Sequence, residues 1–157
     1  MTFKLLVSML AVLTLCSCES DKDYSQLTIA ELNSVSTETD VGENTIILAP
    51  YLWRNFQPGG EESNSNLRAS VTLADVNYRE ITTLSTSYIY VINNDEIWFT
   101  KLTEQPQSTE QAYEIDFGAV DGPKWDTGIY VDVVVAFNLN GEYTHVKTTE
   151  QYINETY

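Results

Sequence analysis

The chain has 157 residues, and its 23 Asp and Glu outnumber its 8 Lys and Arg to give a formal net charge of −15. Binding to phosphates needs a basic stripe, and the Lys and Arg residues here are scattered singly, so nucleic acid is not expected as a partner. The length is enough for one domain.

The first 17 residues have the features of a secretory signal. Lys4 precedes the apolar run LLVSMLAVLTL, which ends at Leu15 and is followed by small residues. The run is shorter than the roughly 18 apolar residues that a transmembrane helix needs. We therefore predict that residues 1–17 direct export and are removed.

The sequence Leu15, Cys16, Ser17, Cys18 resembles the lipobox of bacterial lipoproteins. The resemblance implies that Cys18 becomes the first residue and carries acyl chains such as palmitate. Cys16 does not fit the pattern, because the bulky Leu15 would stand next to the cut, where a small residue is needed. One acyl chain holds a protein only marginally, so stable anchoring would use several, and the lipid would be the membrane contact.

The residues after Cys18, ESDKD, are similar to the acidic export signal of Bacteroidota surface lipoproteins. This likeness implies the outer face of the outer membrane, with a periplasm-facing protein as the alternative if the acids are a solvated linker. With Cys16 removed and Cys18 acylated, no thiol is left for a disulfide or a metal site.

Residues 18–44 are rich in Ser, Thr, Asp and Glu, and we predict a lipidated cysteine and acidic tether with a brief helical turn near residues 29–32. Residues 45–157 change to β-branched and aromatic runs separated by turn residues, which is typical of an all-β domain. Pro50 predicts that the first run is an edge strand or two pieces. The seven runs are TIILAPYLWRNF, LRASVTLADVN, SYIYVIN, EIWFTKL, AYEIDF, GIYVDVVVAFN and EYTHVKTTEQYI.

The stretch DTGIYVD resembles the D-x-G-x-Y-x-C segment of immunoglobulin-type domains, in which the tyrosine forms a corner before the second-to-last strand. The resemblance implies an immunoglobulin-like antiparallel β-sandwich of about seven strands, with Tyr130 as the structural corner and its hydroxyl buried. Asp132 stands where the family has cysteine, so we expect it to lie near solvent or to be paired, and Val131, Val133 and Val135 to face the core. The alternative is an ordinary Asp-Thr-Gly turn.

Catalysis is not expected from these residues. His145 is the only histidine and lies on a presumed surface strand, and the sequence has no G-x-S-x-G, H-E-x-x-H or P-loop motif. Asp116, Asp121 and Asp126 recur around one loop, where calcium is a candidate cofactor, although their spacing is not that of an EF-hand. Turn capping by these acids is the alternative, and we predict no metal.

Three Trp and ten Tyr remain to be placed. Trp98, between Ile97 and Phe99, is predicted to be in the core. Trp53, beside Arg54, and Trp125, in a Gly-Pro loop, are the candidate ligand-binding residues, since exposed aromatics with a cation nearby are common at interfaces. Packing of these two tryptophans in the core or at a corner is the alternative. The stretches YLWRNFQPGG and DGPKWDTG also resemble segments of small secreted bacterial proteins. This likeness implies a shared fold and says nothing about function.

We therefore expect a lipid-anchored cell-envelope protein that is a non-catalytic binding or structural module. Its partner would be an envelope protein or a glycan. The alternative is a calcium-dependent or carboxylate-based glycan-active domain.

Overall fold

A computed structural model describes residues 27–58, 65–106 and 111–157. The predicted signal peptide, Cys18 and the start of the predicted tether lie outside these residues. The described residues form helix α1 (Ile29–Asn33) and nine strands. The strands are β1 (Thr39–Val41), β2 (Asn44–Asn55), β3 (Arg68–Asp75), β4 (Leu84–Asn93), β5 (Glu96–Lys101), β6 (Thr103–Glu104), β7 (Glu114–Ala119), β8 (Tyr130–Leu139) and β9 (Glu142–Thr156).

The all-β prediction is confirmed. Each of the seven predicted runs overlaps one of the longer strands, and the two short strands β1 and β6 are additional. In β3, burial alternates residue by residue, as expected for a strand with one face in the core. No helix among the described residues is long and apolar enough to cross a bilayer.

The strands hydrogen-bond in the order β5-β4-β8-β9-β2-β3-β7-β6. Neighbours are antiparallel except β2 and β9, which run parallel where Leu52 pairs with Ile153. In immunoglobulin-type domains the first, second, fifth and fourth strands of the sandwich form one sheet and the third, sixth and seventh form the other. With β2 as the first strand and β5 as an added edge strand, the order here follows the same arrangement.

The core lies between the two halves of this strand path. Val71 and Leu73 of β3 and Val133 and Val135 of β8 come from different halves, yet they belong to one cluster of buried side chains. The structure is therefore a two-layer sandwich, in which β9 connects the layers by pairing with β8 and then with β2.

Strand β2 is continuous through Pro50 and has partners on both sides, so the prediction of an edge strand or two pieces is wrong. On one side β2 pairs with β3 along most of its length. On the other side it pairs with β1 up to Ile46 and with β9 only from Leu52 onward. Pro50 falls in the gap between these two partners, where a missing backbone donor is tolerated.

The DTGIYVD stretch leads into β8, as expected from its likeness to immunoglobulin domains. Val131, Val133 and Val135 are buried, which confirms the predicted stripe. The carboxylate of Asp132 lies 2.9 Å from Lys147 Nζ and accepts the backbone N–H of Glu150. Glu150 has a positive φ where the pairing of β8 with β9 shifts register, so Asp132 holds the bulge in β9.

The expected burial of the Tyr130 hydroxyl is wrong. The side chain is 66% exposed and its ring packs edge-on against Tyr152 of β9, with ring centroids 5.3 Å apart. Tyr130 is the first residue of β8, and Val131 is buried on the opposite face, so alternation directs the tyrosine outward.

The folded part begins before Thr45. Residues 29–33 form the expected helical turn, capped by reciprocal hydrogen bonds between Thr28 and Glu31. Leu32 of this helix is fully buried against Tyr90 and Val134, on the outer face of the β4–β8 layer. Residues 27–44, which the sequence placed in the tether, therefore contribute a helix and strand β1 to the fold.

Candidate functional site

Arg54 is a structural residue and not an exposed cation. Its side chain is buried, and its guanidinium donates to the backbone carbonyls of Ser65 and Trp125, the latter at 2.6 Å. It also lies 4.9 Å from the ring centroid of Phe56. The predicted role of Arg54 in ligand contact is thus corrected: it lies on the inward face of β2 and ties a loop to the sandwich.

That loop is the Gly-Pro-Lys-Trp segment, and the sandwich holds it closely. Gly122 donates its N–H to the carbonyl of Leu67 at 2.9 Å. A Cβ at Gly122 would lie 2.9 Å from atoms of Leu67 and Trp98, which explains the glycine. Trp98 is buried in the core, as predicted.

Trp125 is half-buried. Its ring packs against the core cluster and its Nε1 donates to the carboxylate of Glu96. It lines two shallow cavities beside the β4–β5 turn. Trp125 therefore borders surface cavities, while its contacts with the core and with Glu96 hold the loop in place.

Trp53 belongs to a larger exposed surface, which we call the aromatic row. The row consists of Tyr51 and Trp53 of β2, Tyr130 of β8 and Tyr152 of β9. Tyr51 and Tyr152 are 51% and 46% exposed. The Tyr51 and Trp53 rings lie 5.4 Å apart at an interplanar angle of 30°.

Strand register places the four rings on one face. Leu52 pairs with Ile153, and both are buried, so their neighbours Tyr51 and Tyr152 point to the opposite, outer face. Tyr130 pairs directly with Tyr152 and so lies on the same side. With strands about 4.8 Å apart, the row crosses three neighbouring strands over about 10 Å.

A cavity of about 860 Å³ adjoins the row at Trp53. Arg68 of β3 is the register partner of Trp53 and also lines this cavity. Lys101, at the end of β5, also lines the cavity, as do Thr103 and Gln105. The cavity shares Trp98 and Phe99 with one of the cavities at Trp125, so the two predicted tryptophans lie on connected surfaces.

The candidate calcium ligands do not converge. Asp116 of β7 accepts a hydrogen bond from Thr72 at 2.6 Å, Asp121 lines the Trp53 cavity, and Asp126 lines a cavity beside the β4–β5 turn. Within the described parts of the chain, no three His, Cys, Asp or Glu side chains are grouped so that they could hold a metal. His145 is half-buried in β9, opposite Ala136.

No family model, curated protein or solved structure matches this chain. The candidate site is therefore assigned from the structure of this chain alone.

Sequence reasoning missed Tyr51, Tyr152, Arg68 and Lys101. Tyr51 and Trp53 are two residues apart in a predicted strand, so alternation alone could have placed them on one face. Arg68 and Tyr152 join that face only through the register of β2 with β3 and β9, which no local pattern encodes.

Proposed function

We propose that this protein is a lipid-anchored, non-catalytic binding module of the cell envelope, and that the aromatic row is its binding surface. The observation that carries the proposal is the row itself: four aromatic rings share one outer face, and three are largely exposed. Contiguous exposed apolar surface on a soluble domain is typical of an interaction site.

The aromatic row suits a glycan ligand better than a cleft-bound small molecule. The rings lie on a sheet face, where the flat faces of sugar rings stack on aromatic side chains. The strands that carry the rings also pair with neighbours on both sides over much of their length, which leaves little backbone for an added strand. The lipobox supports attachment at Cys18, so the row would be displayed at the outer membrane surface.

Binding is tested with the full-length chain in detergent micelles against an immobilised panel of acidic and neutral polysaccharides. We expect Trp53→Ala and Tyr152→Ala each to weaken binding about tenfold. This takes the lower end of the roughly 1 to 3 kcal/mol by which a nucleobase stacks on an aromatic side chain as the guide for a sugar face. The matched control is Tyr78→Ala, an exposed tyrosine that packs against Tyr113 away from the row.

Circular dichroism of each variant separates lost contacts from lost folding. If the row variants keep the wild-type melt and also keep full binding, the row is not the binding surface. If no polysaccharide binds the wild-type chain, glycan binding is wrong for this protein.

The anchor is tested separately in cells with a fatty-acid probe. Cys18→Ala should abolish labelling, and Cys16→Ala should leave it. The opposite result would assign the lipid to the other cysteine.

A further inference from the structure

We infer that the ligand of the aromatic row is an acidic polysaccharide, and that the cavity beside Trp53 receives its carboxylate groups through Arg68 and Lys101. This inference rests on the proposed function, because it assigns a chemical class to the ligand of the same surface. It starts from the distribution of cations in a strongly acidic chain.

The described residues include six Lys and Arg, and three of them are held by groups of the protein. Arg54 donates to backbone carbonyls, Arg79 donates to the carbonyl of Glu43, and Lys147 pairs with Asp132. These three stabilise the fold and are not available to a ligand.

Arg68 and Lys101 differ from these three. Within the described parts of the chain, neither side chain forms a hydrogen bond or an ion pair with another described residue. Arg68 is half-buried and Lys101 is exposed, and both line the cavity beside Trp53. Arg68 and Lys101 thus border the same cavity, although they come from different layers of the sandwich.

The local charge of this cavity is opposite to that of the whole chain. Its charged lining residues are Arg68, Lys101 and Asp121, which sum to +1, whereas the chain carries −15. The acidic surface repels anions elsewhere, so an anionic ligand is favoured at this cavity. An arginine fork matches the two oxygens of a carboxylate, and such charge-assisted bonds are about twice as strong as neutral ones.

The juxtaposition with Trp53 selects sugars among anions. Directly opposed residues of antiparallel strands have Cβ atoms about 5 Å apart, so the Trp53 and Arg68 side chains leave the sheet next to each other. A uronic acid carries a ring face and a carboxylate on the same sugar unit. The ring face could therefore stack on Trp53 while the carboxylate pairs with Arg68. The remaining rings of the row continue across β2, β9 and β8, which favours a chain of several sugars over a single one.

Two other anionic polymers fit the site less well. Nucleic acid needs many cations along its phosphates, and this site offers two in a chain of −15. An acidic peptide could pair with Arg68 and Lys101, but its carboxylate side chains have no rings to stack on the aromatic row.

The test compares polygalacturonate with the same polymer after its carboxylates are reduced to alcohols, using the full-length chain in micelles. We expect the reduced polymer to bind at least about tenfold more weakly, and Arg68→Gln and Lys101→Gln each to weaken polygalacturonate binding by about tenfold, the loss of one hydrogen bond to a charged group. Added salt should weaken the wild-type complex more than the double variant. Lys124→Gln, outside this cavity, is the control.

The outcomes separate this inference from the proposed function. Suppose that polygalacturonate and its reduced form bind equally well and that only the aromatic-row variants lose binding. The inference of an acidic ligand is then wrong, and the proposed binding module stands. If the wild-type chain binds no glycan at all, the proposed glycan binding and the acidic-ligand inference are both wrong. Tighter binding of polyglutamate or of oligo(dT), with the same dependence on Arg68, overturns the inference in favour of a peptide or a nucleic acid.

Discussion

Asp75 ends strand β3 with its carboxylate surrounded by hydrogen-bond donors. One oxygen accepts the backbone N–H of Asn77 at 2.7 Å and that of Arg79 at 3.1 Å, and the other accepts the N–H of Thr45 at 2.9 Å and the Asn44 side chain at 3.1 Å. Burial by itself raises the pKa of Asp75, but these hydrogen bonds outweigh it and hold the pKa below its ordinary value of 3.8.

The first prediction concerns Asp75 and pH. A lowered pKa in the folded state means that the charged carboxylate stabilises the fold at neutral pH, and that this contribution is lost as the pH falls below the ordinary value and through the folded value. Asp75→Asn should lower the free energy of unfolding by about 2 kcal/mol at pH 7, because it places an amide opposite several donors. The difference from wild type should shrink toward pH 2.5.

Urea unfolding at a series of pH values measures this difference. The control is Asp126→Asn, at an exposed carboxylate, which should unfold like the wild type at pH 7. A difference that stayed constant or grew on acidification would show that the charge of Asp75 is not what stabilises the turn.

At the scale of elements, α1 is too short to be stable alone. Its five residues are held by the capping box of Thr28 and Glu31 and by the burial of Leu32. Lys147 also reaches this segment, since its Nζ donates to Asn33 and its backbone N–H donates to Ser36. The helix therefore covers apolar side chains that the β4–β8 layer would otherwise expose.

The second prediction tests this cover. Leu32→Ala should lower the free energy of unfolding by about 2 to 5 kcal/mol, the cost of emptying a fully buried leucine site. A chain that starts at Thr45 should be less stable still and should bind a hydrophobic dye at the uncovered face. Ala30→Ser, on the exposed side of the same helix, is the control.

Chemical denaturation and dye fluorescence give the two measurements. If Leu32→Ala and Ala30→Ser unfold alike, residues 27–44 add nothing to stability. The folded domain would then begin at Thr45, as the sequence alone suggested.

At the scale of the whole molecule, β9 unites the two layers. Its first part pairs with β8, the Glu150 bulge turns it, and its last residues pair in parallel with β2. The same crossing brings Tyr152 next to Tyr130 on one side and onto the face of Tyr51 on the other. Stability and the aromatic row thus depend on the same strand.

The third prediction is that removing residues 153–157 destabilises the whole sandwich. The deletion removes the fully buried Ile153 and the four residue pairs of the β2–β9 ladder. We expect a loss of about 4 kcal/mol or more from the burial and the hydrogen bonds together. This is a large part of the 5 to 15 kcal/mol typical of a domain.

Deletion of Tyr157 alone, which is exposed, is the matched control and should leave the free energy of unfolding unchanged. The measurement is a urea titration followed by circular dichroism. A truncated chain with wild-type stability would mean that the two layers hold together without β9.

The strands were predictable because their signals are local. Alternation in residues 67–74 buries one face of β3, and a burial pattern of period two needs no knowledge of the partner strand. The β-branched run of β8 predicted a strand as well, although the structure buries both of its faces from Val133 onward. Trp98 was placed in the core from another local signal, its apolar neighbours Ile97 and Phe99. The DTGIYVD stretch predicted the start of β8, since its turn residues act on the chain next to them.

The start of the fold and the candidate site were not predictable in this way. Leu32 stands in a polar stretch, and only the open face of β4 and β8 makes its burial favourable. Arg54 sits beside Trp53 in the chain, yet alternation sends one inward to a loop carbonyl and the other outward, and Arg68 takes the place beside the indole. The sequence by itself determined the strands and their buried faces, because those depend on neighbours in the chain. The tertiary structure alone decided which aromatic rings and cations share a surface, because that depends on pairings between residues about 15 to 100 positions apart.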